Sequence, residues 1–458
     1  MFTAKLYNKD TTPRSHVPEI VNFTQDYLSG FVTLLKRKVL DTFFALDDLD
    51  EHTVQEVDEL KAFFKILESP FDELDTEAKR IACLTDAKAY VSPQRYFIDS
   101  KLAPVQRRGS RYMEMVPAYG QFVKLRTTLK LFLEIPGVFD KIMENLENLT
   151  ANKEVISNFV QGELWDKISE PFRVEGKIVL HLFAFNDDYE SNNGLGSHAG
   201  DDKVSAVYYK IPCMPEEFLS VLRFIFVGAL FYANDRKDYG NGKTMEPLVQ
   251  ELEFLETKGI LINLPDRTVR VYFILGLILG DNVGLNTLLG FVGCFVANHS
   301  CRVCKIHRND LHVQVEDSDL LLRNRINYDV DVALANPNQT GVKEKCVFND
   351  RLTSFHVTEN ICGDLLHEFE EGVCGYSLPL ILNWLINIRR YLSHEVFIER
   401  VGAFQYGPHE SGNMPSLTKL SEDKLASTKF NLSGSESLCL TRYLGEIIGH
   451  LIPDDEPV

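Results

Sequence analysis

Apolar residues recur along this chain with two different periods. In residues 1–90 they follow the spacing of amphipathic helices, and acidic stretches lie between and after the predicted helices. From Gly176 onward, apolar runs rich in β-branched and aromatic residues are bounded by polar turns, which is typical of buried strands. The predicted helices span 21–44, 52–67, 216–233, 244–259, 355–374, 379–401 and 433–452, with two more inside 121–149, and the predicted strands span 177–188, 204–213 and 269–279.

This order of elements predicts an α/β protein in which a sheet core is embedded in helical segments. Its regions are an acidic helical region (1–90), a helical region with a local basic patch (91–171), the sheet core (172–300), an insert that carries cysteines (301–360) and a helical C-terminal region (361–458). The last predicted helix begins with Ser433 and Glu436 in the positions of a capping box. The chain ends soon after this helix, so we expect the C-terminal region to be truncated.

Composition and charge restrict the class of protein. A chain of 458 residues, 45% of them hydrophobic, can bury two or three cores. The formal net charge of -18 argues against a protein that coats nucleic acid by bulk charge, so any DNA contact must come from local basic patches. An odd number of cysteines, nine, and the lack of a secretory leader pattern predict the nucleus or the cytoplasm and no secretion.

One local excess of cations lies in the second region. Phosphate binding needs such clusters, although the same cations can equally form a solvated surface. These cations are Arg107, Arg108, Arg111, Lys124, Arg126 and Lys130.

The apolar stretch 271–297 is long enough to be mistaken for a membrane span. Asp281 near its middle is costly in a bilayer, and five glycines divide the stretch into a strand-sized and a helix-sized piece. We therefore predict that the protein has no membrane partner.

Two aspartates lie at the ends of predicted strands of the same sheet. Asp187 stands near the end of the strand 177–188, and Asp281 follows the strand that ends at Leu279. If these strands are neighbours, both carboxylates lie at one sheet edge and can hold Mg²⁺ or Mn²⁺, which prefer oxygen ligands. Two such ions clamp the attacking and leaving oxygens of a phosphoryl transfer. The alternative is that each aspartate caps a turn or the following helix.

Cys301 and Cys304 form the strongest local metal motif, because two thiolates at this spacing can chelate one tetrahedral Zn²⁺. A complete zinc site needs two further ligands. The candidates are His307, His299 and His312 nearby in the sequence, and Cys346 and His356 across the polar insert. Unmetallated thiols are the alternative. A redox role is disfavoured, since no thioredoxin-like βαβ unit surrounds the pair.

Asp364, His367 and Glu371 lie on one face of a predicted helix. Carboxylates and an imidazole at this spacing can ligate metal or relay protons. The zinc-protease motif HExxH is excluded, because Glu371 stands where its second histidine would be. A solvated ionic helix face is the alternative.

Several ordered blocks of this sequence resemble transposase-derived proteins of the CACTA (En/Spm, tnp2-like) group. The resemblance covers roughly residues 90–458 and is strongest between Asp187 and Cys374. The blocks are NDDYESNNGLGSHAG, VYYKIPCMPEEF, DRKDYGNGKTMEPLVQELEFLETKGI, LGLILGDNVGLNTLLGFVGCFVANHSCRVCKIHR and FHVTENICGDLLHEFEEGVC.

The resemblance implies an RNase H-like core that uses a DD(E/D) carboxylate set and Mg²⁺ or Mn²⁺ to cleave and join DNA at transposon ends. The matched positions are Asp187 as the first acid, Asp281 as the second, Asp364 and His367 as the family's D-x-x-H signature, and Cys301 and Cys304 as its paired cysteines. The third acid is unassigned, with Glu371 as the provisional candidate.

We therefore expect a metal-dependent DNA transposase, inactive as this fragment if the third acid is missing. One alternative is a non-catalytic transposon-derived protein that binds DNA or protein, because the acid set is incomplete. A second is a helical scaffold unrelated to nucleic acid. A homo-oligomer is compatible with each of these hypotheses.

Overall fold

The N-terminal part of the chain is helical and strands follow it, as the two spacings of apolar residues indicate. The structure is a computed structural model that describes residues 2–7, 12–44, 51–107, 110–152, 154–174, 176–190, 203–219, 221–427 and 429–456. Residues 1–94 with 127–131 form one unit, and residues 95–126 with 132–458 form a second.

Helices make up the described part of the first unit's N-terminal segment. They are α1 (Phe2–Tyr7), α2 (Val17–Phe44), α3 (Glu51–Glu68) and α4 (Glu77–Asp86). Helices α2 and α3 pack against each other, and Val21 and Val32 of α2 and Val57 and Phe64 of α3 are buried. Both long helices predicted for this region are confirmed.

A mixed sheet organises the second unit. Its described strands are β1 (Gln94–Arg107), β2 (Ser110–Phe122), β3 (Ile178–Glu190), β4 (Lys203–Lys210), β5 (Phe226–Tyr232), β6 (Ile260–Asn263) and β7 (Thr268–Leu279). Their spatial order is β1-β2-β5-β4-β3-β7-β6. Strands β5, β4 and β3 form an antiparallel meander, and β7 lies beside β3 and parallel to it. The α/β class predicted from the sequence is confirmed.

Two predicted helical segments are strands instead. The prediction of a buried helix over 216–233 is wrong, because Phe226–Tyr232 forms β5 between β4 and β2 and is preceded only by short helical pieces at Glu216–Leu219 and Leu222–Phe224. A continuous apolar run is compatible with either a buried helix or a buried strand. Here the segment is a strand because it pairs with β4 and β2. The region 91–171, predicted helical, opens with β1 and β2, whereas its later part contains the two expected helices.

The remaining helices surround the sheet or follow it. They are α5 (Leu125–Leu133), α6 (Val138–Ala151), α7 (Glu163–Ser169), α8 (Glu216–Leu219), α9 (Ala233–Tyr239), α10 (Asn241–Thr244), α11 (Glu246–Thr257), α12 (Asn282–Leu288), α13 (Arg325–Leu334), α14 (Pro337–Thr340), α15 (Gly375–Asn383), α16 (His394–Ala403), α17 (Glu422–Leu425) and α18 (Gly434–Ile448). Two π-helices, Leu365–Cys374 and Trp384–Ile388, flank α15. The capping box predicted at Ser433 and Glu436 begins α18.

The apolar stretch 271–297 divides as predicted, with β7 and α12 on either side of Asp281. Within the described ranges, no helix is both long and apolar enough to cross a membrane. A separate C-terminal core packs apolar side chains of α15, α16 and α18 together. The strands of the sheet therefore position the residues of the candidate site, whereas the C-terminal helices form a separate core.

Candidate active site

The parallel pairing of β3 with β7 brings the two predicted acids side by side. Phe185 of β3 pairs with Leu279 of β7, and each strand reaches its aspartate two residues later, Asp187 on β3 and Asp281 after β7. Neighbouring strands lie about 4.8 Å apart. The condition stated from the sequence, that the two Asp-bearing strands are neighbours, is therefore met.

Both aspartates line one cavity of about 300 Å³ at this sheet edge. Each carboxylate is exposed to solvent. Three cations, Lys203, Arg236 and Lys237, line the same cavity. A phosphate group bound there would therefore meet positive charge beside two carboxylates.

Asp281 also caps a helix, which was the alternative to a catalytic role. The Gly284 N–H donates to Asp281 Oδ1 and so satisfies the start of α12. Across the described ranges, Asp281 Oδ2 accepts no hydrogen bond, and Asp187 accepts none on either oxygen. The cap fixes the orientation of the Asp281 carboxylate and leaves one oxygen available to a ligand.

Asp188 has a structural role beside these acids. It accepts a hydrogen bond from the Ser205 hydroxyl and pairs with Arg236, whose Nη2 lies 3.2 Å from Asp188 Oδ2. The second terminal nitrogen of Arg236, Nη1, is buried and has no acceptor in the part of the chain that the structure describes. A buried guanidinium nitrogen without an acceptor costs free energy, so Arg236 is suited to an anionic ligand entering the cavity.

The D-x-x-H pair lies near the second acid. His367 Nδ1 is 2.6 Å from Asp364 Oδ2, and Asp364 also caps the π-helix by accepting the His367 N–H. The hydrogen bond to Asp364 raises the pKa of His367, and the charges of Asp364, Glu371 and Asp281 add to this effect. Arg302 contacts both Asn282, the residue after Asp281, and Glu368 of this π-helix, so the π-helix is connected to the chain beside Asp281. Short π-helices are frequent at functional sites.

Arg302 connects these two parts of the site, and the sequence analysis missed it. Its Nη1 donates to Asn282 Oδ1 at 2.6 Å, and its Nη2 donates to the Cys362 carbonyl at 2.7 Å. Glu368 of the π-helix lies 3.8 Å from the same Nη2. Arg302 is buried. It thus ties the first residue of α12 to the segment that carries Asp364, and its place between two cysteines had suggested only a metal motif.

A complete metal set is not formed by the described residues. Among them, no three His, Cys, Asp or Glu side chains lie close enough together to hold a metal ion. Glu371, the provisional third acid, acts on His367 by charge but does not join Asp187 and Asp281 in such a group. The catalytic set and the zinc site therefore stay predictions.

The two cysteines of the zinc prediction are in contact. The thiol of Cys304 and the backbone N–H groups of Cys304 and Val303 donate to Cys301 Sγ, and they lower the pKa of the Cys301 thiol to about 5. The lowered pKa favours the thiolate of Cys301, the form that binds Zn²⁺. Burial raises the pKa of Cys346 to about 12, so this thiol is neutral unless a bound metal ion displaces its proton.

Histidine tautomers distinguish the candidates for a third zinc ligand. His299 Nδ1 lies 3.0 Å from the Lys305 carbonyl and must donate to it, which leaves the Nε2 lone pair free. His307 Nδ1 accepts the Asn309 N–H, so its Nε2 carries the proton in the neutral ring. The two rings are 5.3 Å apart. The two rings therefore differ in which nitrogen carries the lone pair, Nε2 in His299, where it is free, and Nδ1 in His307, where the Asn309 N–H already engages it.

The described cations of the predicted basic patch lie on β1, on β2 and in or next to α5. Arg107 and Arg111 belong to β1 and β2, and Arg108 lies outside the described residues. Arg126 is bonded to Glu251 through its backbone N–H, at 3.0 Å, and through Nε, at 2.7 Å. Arg126 is therefore engaged within the fold, and the candidates for phosphate contact lie on the two strands.

Comparisons with known proteins add no family. No family model matches the sequence, and no curated protein matches it.

Proposed function

We propose that this chain is the core of a metal-dependent, DNA-cleaving protein of the RNase H-like transposase type. The observation that carries the proposal is the placement of Asp187 and Asp281 at adjacent parallel strand ends in one cavity. An antiparallel meander, followed through a helix by a strand parallel to the first, is the arrangement expected of an RNase H-like core. The topology β5-β4-β3-β7, with α11 before β7, supports this fold.

The carboxylates fit a hard divalent cation, because both are exposed and Asp281 Oδ2 is free of hydrogen bonds among the described residues. Bound Mg²⁺ or Mn²⁺ would supply Lewis-acid activation of water and of the phosphodiester. In this site Asp187 and Asp281 would hold the cation, while Arg236 and Lys237 attract the phosphate. The His367–Asp364 pair is placed to hold a proton near Asp281.

The test is divalent-metal binding and DNA cleavage by the full chain with Mn²⁺, beside Asp187→Asn and Asp281→Asn. Asparagine keeps the side-chain shape and still caps α12 at position 281, so only the negative charge is lost. Asp266→Asn is the matched control, because Asp266 is a surface carboxylate paired with Arg267 in the turn before β7. We expect loss of cleavage and weaker Mn²⁺ binding in both site variants and parent behaviour in the control. A folded parent chain that does not bind Mn²⁺ contradicts the proposal.

A second candidate is a non-catalytic DNA-binding protein, which the incomplete acid set favours. Strand β2 pairs with β5 only at Gln121 and Phe122, so most of β1 and β2 extends past the rest of the sheet. In the sequence, residues 101–117, which cover parts of both strands and the residues between them, carry four cations and one carboxylate in a chain of net charge -18. Two-stranded ribbons can enter a DNA groove, and phosphate contacts make binding salt-dependent.

This candidate predicts DNA binding without cleavage. Arg107→Gln, Arg108→Gln and Arg111→Gln together should weaken binding and reduce its salt dependence, with a slope lower by up to about 3 in log–log form. Lys61→Gln, on α3 in the other unit, is the control. Unchanged DNA affinity in the triple variant would exclude the ribbon as the contact surface.

A further inference from the structure

Helix α2 has two apolar faces, and among the described residues one of them is buried and the other exposed. Val21 and Val32 are buried on the face toward α3. A second stripe follows the spacing i, i+4, i+8 and i+11 along the helix, so its members share one side. The stripe consists of Phe23, Tyr27, Phe31 and Leu34, which are 76%, 70%, 61% and 60% exposed, with Leu35 at its border.

The stripe is large enough to form an interface. A covered aromatic side chain buries about 150–250 Å², so these exposures leave roughly 500 Å² of apolar surface per copy. Monomeric proteins seldom expose contiguous apolar patches of this size without a function. Two copies of the stripe together reach the roughly 1,000 Å² expected of a specific interface.

Charges beside the stripe identify its partner. Glu19 and Asp26 flank the N-terminal half of the stripe, and Arg37 and Lys38 flank its C-terminal half. All four side chains are exposed. An antiparallel second α2 that pairs Phe23 with Leu34 would place its Lys38 opposite Glu19, whereas a parallel one would place acids against acids and cations against cations.

We propose that a second copy of this chain pairs with the first through antiparallel α2 helices. Phe23 then lies opposite the partner's Leu34, and Tyr27 lies opposite the partner's Phe31. Gly30 is at the centre of the contact, and a Cβ there would meet nothing within 4 Å, so the position leaves room for the partner's Tyr27. The surface is self-complementary about a two-fold axis, and the assembly closes as a dimer.

The first experiment is sedimentation equilibrium of the full chain, with circular dichroism to confirm folding. The parent chain should be a dimer at micromolar concentration. Tyr27→Ser with Phe31→Ser should raise the dimer dissociation constant about a hundredfold or more, because four central aromatic side chains are lost per dimer. Leu320→Ser is the control, since Leu320 is 93% exposed outside α2 and should leave dimerisation unchanged.

Charge exchange tests the antiparallel arrangement. Arg37→Glu with Lys38→Glu makes the flanks uniformly acidic, and Glu19→Lys with Asp26→Lys makes them uniformly basic. Each variant alone should be monomeric, and an equimolar mixture should form a heterodimer. A monomeric parent, a dimer that the Tyr27 and Phe31 substitutions do not weaken, or charge variants that self-associate like the parent would each overturn the proposal.

Discussion

His181 offers a quantitative test of the core that carries Asp187. It is 0% exposed in the middle of β3, and its ring centroid lies 5.1 Å from those of Phe159 and Trp165. Neither ring nitrogen has a hydrogen-bond partner in the described part of the chain. Burial lowers the pKa of His181 to about 3. We predict that His181→Phe stabilises the protein, and increasingly so at low pH.

The magnitude has two parts. At pH 7.5 the histidine is neutral in both states, and removing its unpaired ring nitrogens should raise the free energy of unfolding by about 1–3 kcal/mol. Below about pH 6.5 the unfolded histidine binds a proton that the folded one, with its depressed pKa, does not. Unfolding then becomes easier by about 1.4 kcal/mol per pH unit until the folded pKa is reached. At pH 4.5 the advantage of His181→Phe should therefore reach about 4–6 kcal/mol.

Trp165 provides the assay, because its ring packs against His181. The chain has two tryptophans, so urea unfolding is followed by fluorescence in a Trp384→Phe background. His312→Phe is the control, because His312 is exposed and its replacement should give a nearly pH-independent difference. If His181→Phe is destabilising at pH 7.5, or if its advantage does not grow between pH 7 and pH 4.5, the ring nitrogens are satisfied and the reasoning is refuted.

Three further predictions concern the candidate site. Arg302→Met should lower the free energy of unfolding by about 2–4 kcal/mol, because it leaves the Asn282 amide oxygen and the partly buried Cys362 carbonyl without their donor. A loss below about 0.5 kcal/mol in urea unfolding would contradict this role. Cys301, whose pKa is lowered to about 5, should be alkylated by iodoacetamide at pH 6.5 before the exposed Cys83, and bound Zn²⁺ should protect it. Peptide mass spectrometry measures the order of labelling, and earlier labelling of Cys83 would argue against a thiolate at Cys301. His367 has a raised pKa, so its pairing with Asp364 stabilises the fold below about pH 6.5, and this stabilisation is lost as the pH rises through the folded pKa. His367→Gln should therefore lower the free energy of unfolding by up to about 1 kcal/mol at pH 6 and by less at pH 9. An equal effect at both pH values would exclude the ion pair.

Short sequence patterns predicted the elements whose structure depends on residues close together in the sequence. The strand before Asp281 and the capping box at Ser433 each depend on a short stretch of sequence, and the structure has both at the predicted positions. The neighbouring positions of β3 and β7 could be expressed only as a condition, since strand order depends on contacts distant in sequence. The segment 216–233 was misassigned because its apolar residues suit both kinds of buried element until pairing with β4 decides.

The connection between the two halves of the site could not be read from the sequence. Arg302 reaches Asn282, twenty residues before it, and the Cys362 carbonyl, sixty residues after it. No spacing rule relates such positions, because their distance is set by tertiary packing. The same limit applies to the tautomers of His299 and His307, which depend on the carbonyl and N–H groups that each ring meets.

The pairing of β3 with β7 also determines when this site can exist during synthesis. Asp187 is synthesised early, on β3 of the antiparallel meander. Asp281 is synthesised later, after α11, β6 and β7. A parallel pair requires such a crossover, and non-local pairing forms late in folding. A nascent chain or a fragment that stops before Thr268 would carry one acid and no opposing strand. If the acids do cut DNA, their separation along the chain delays that activity until the sheet is nearly complete.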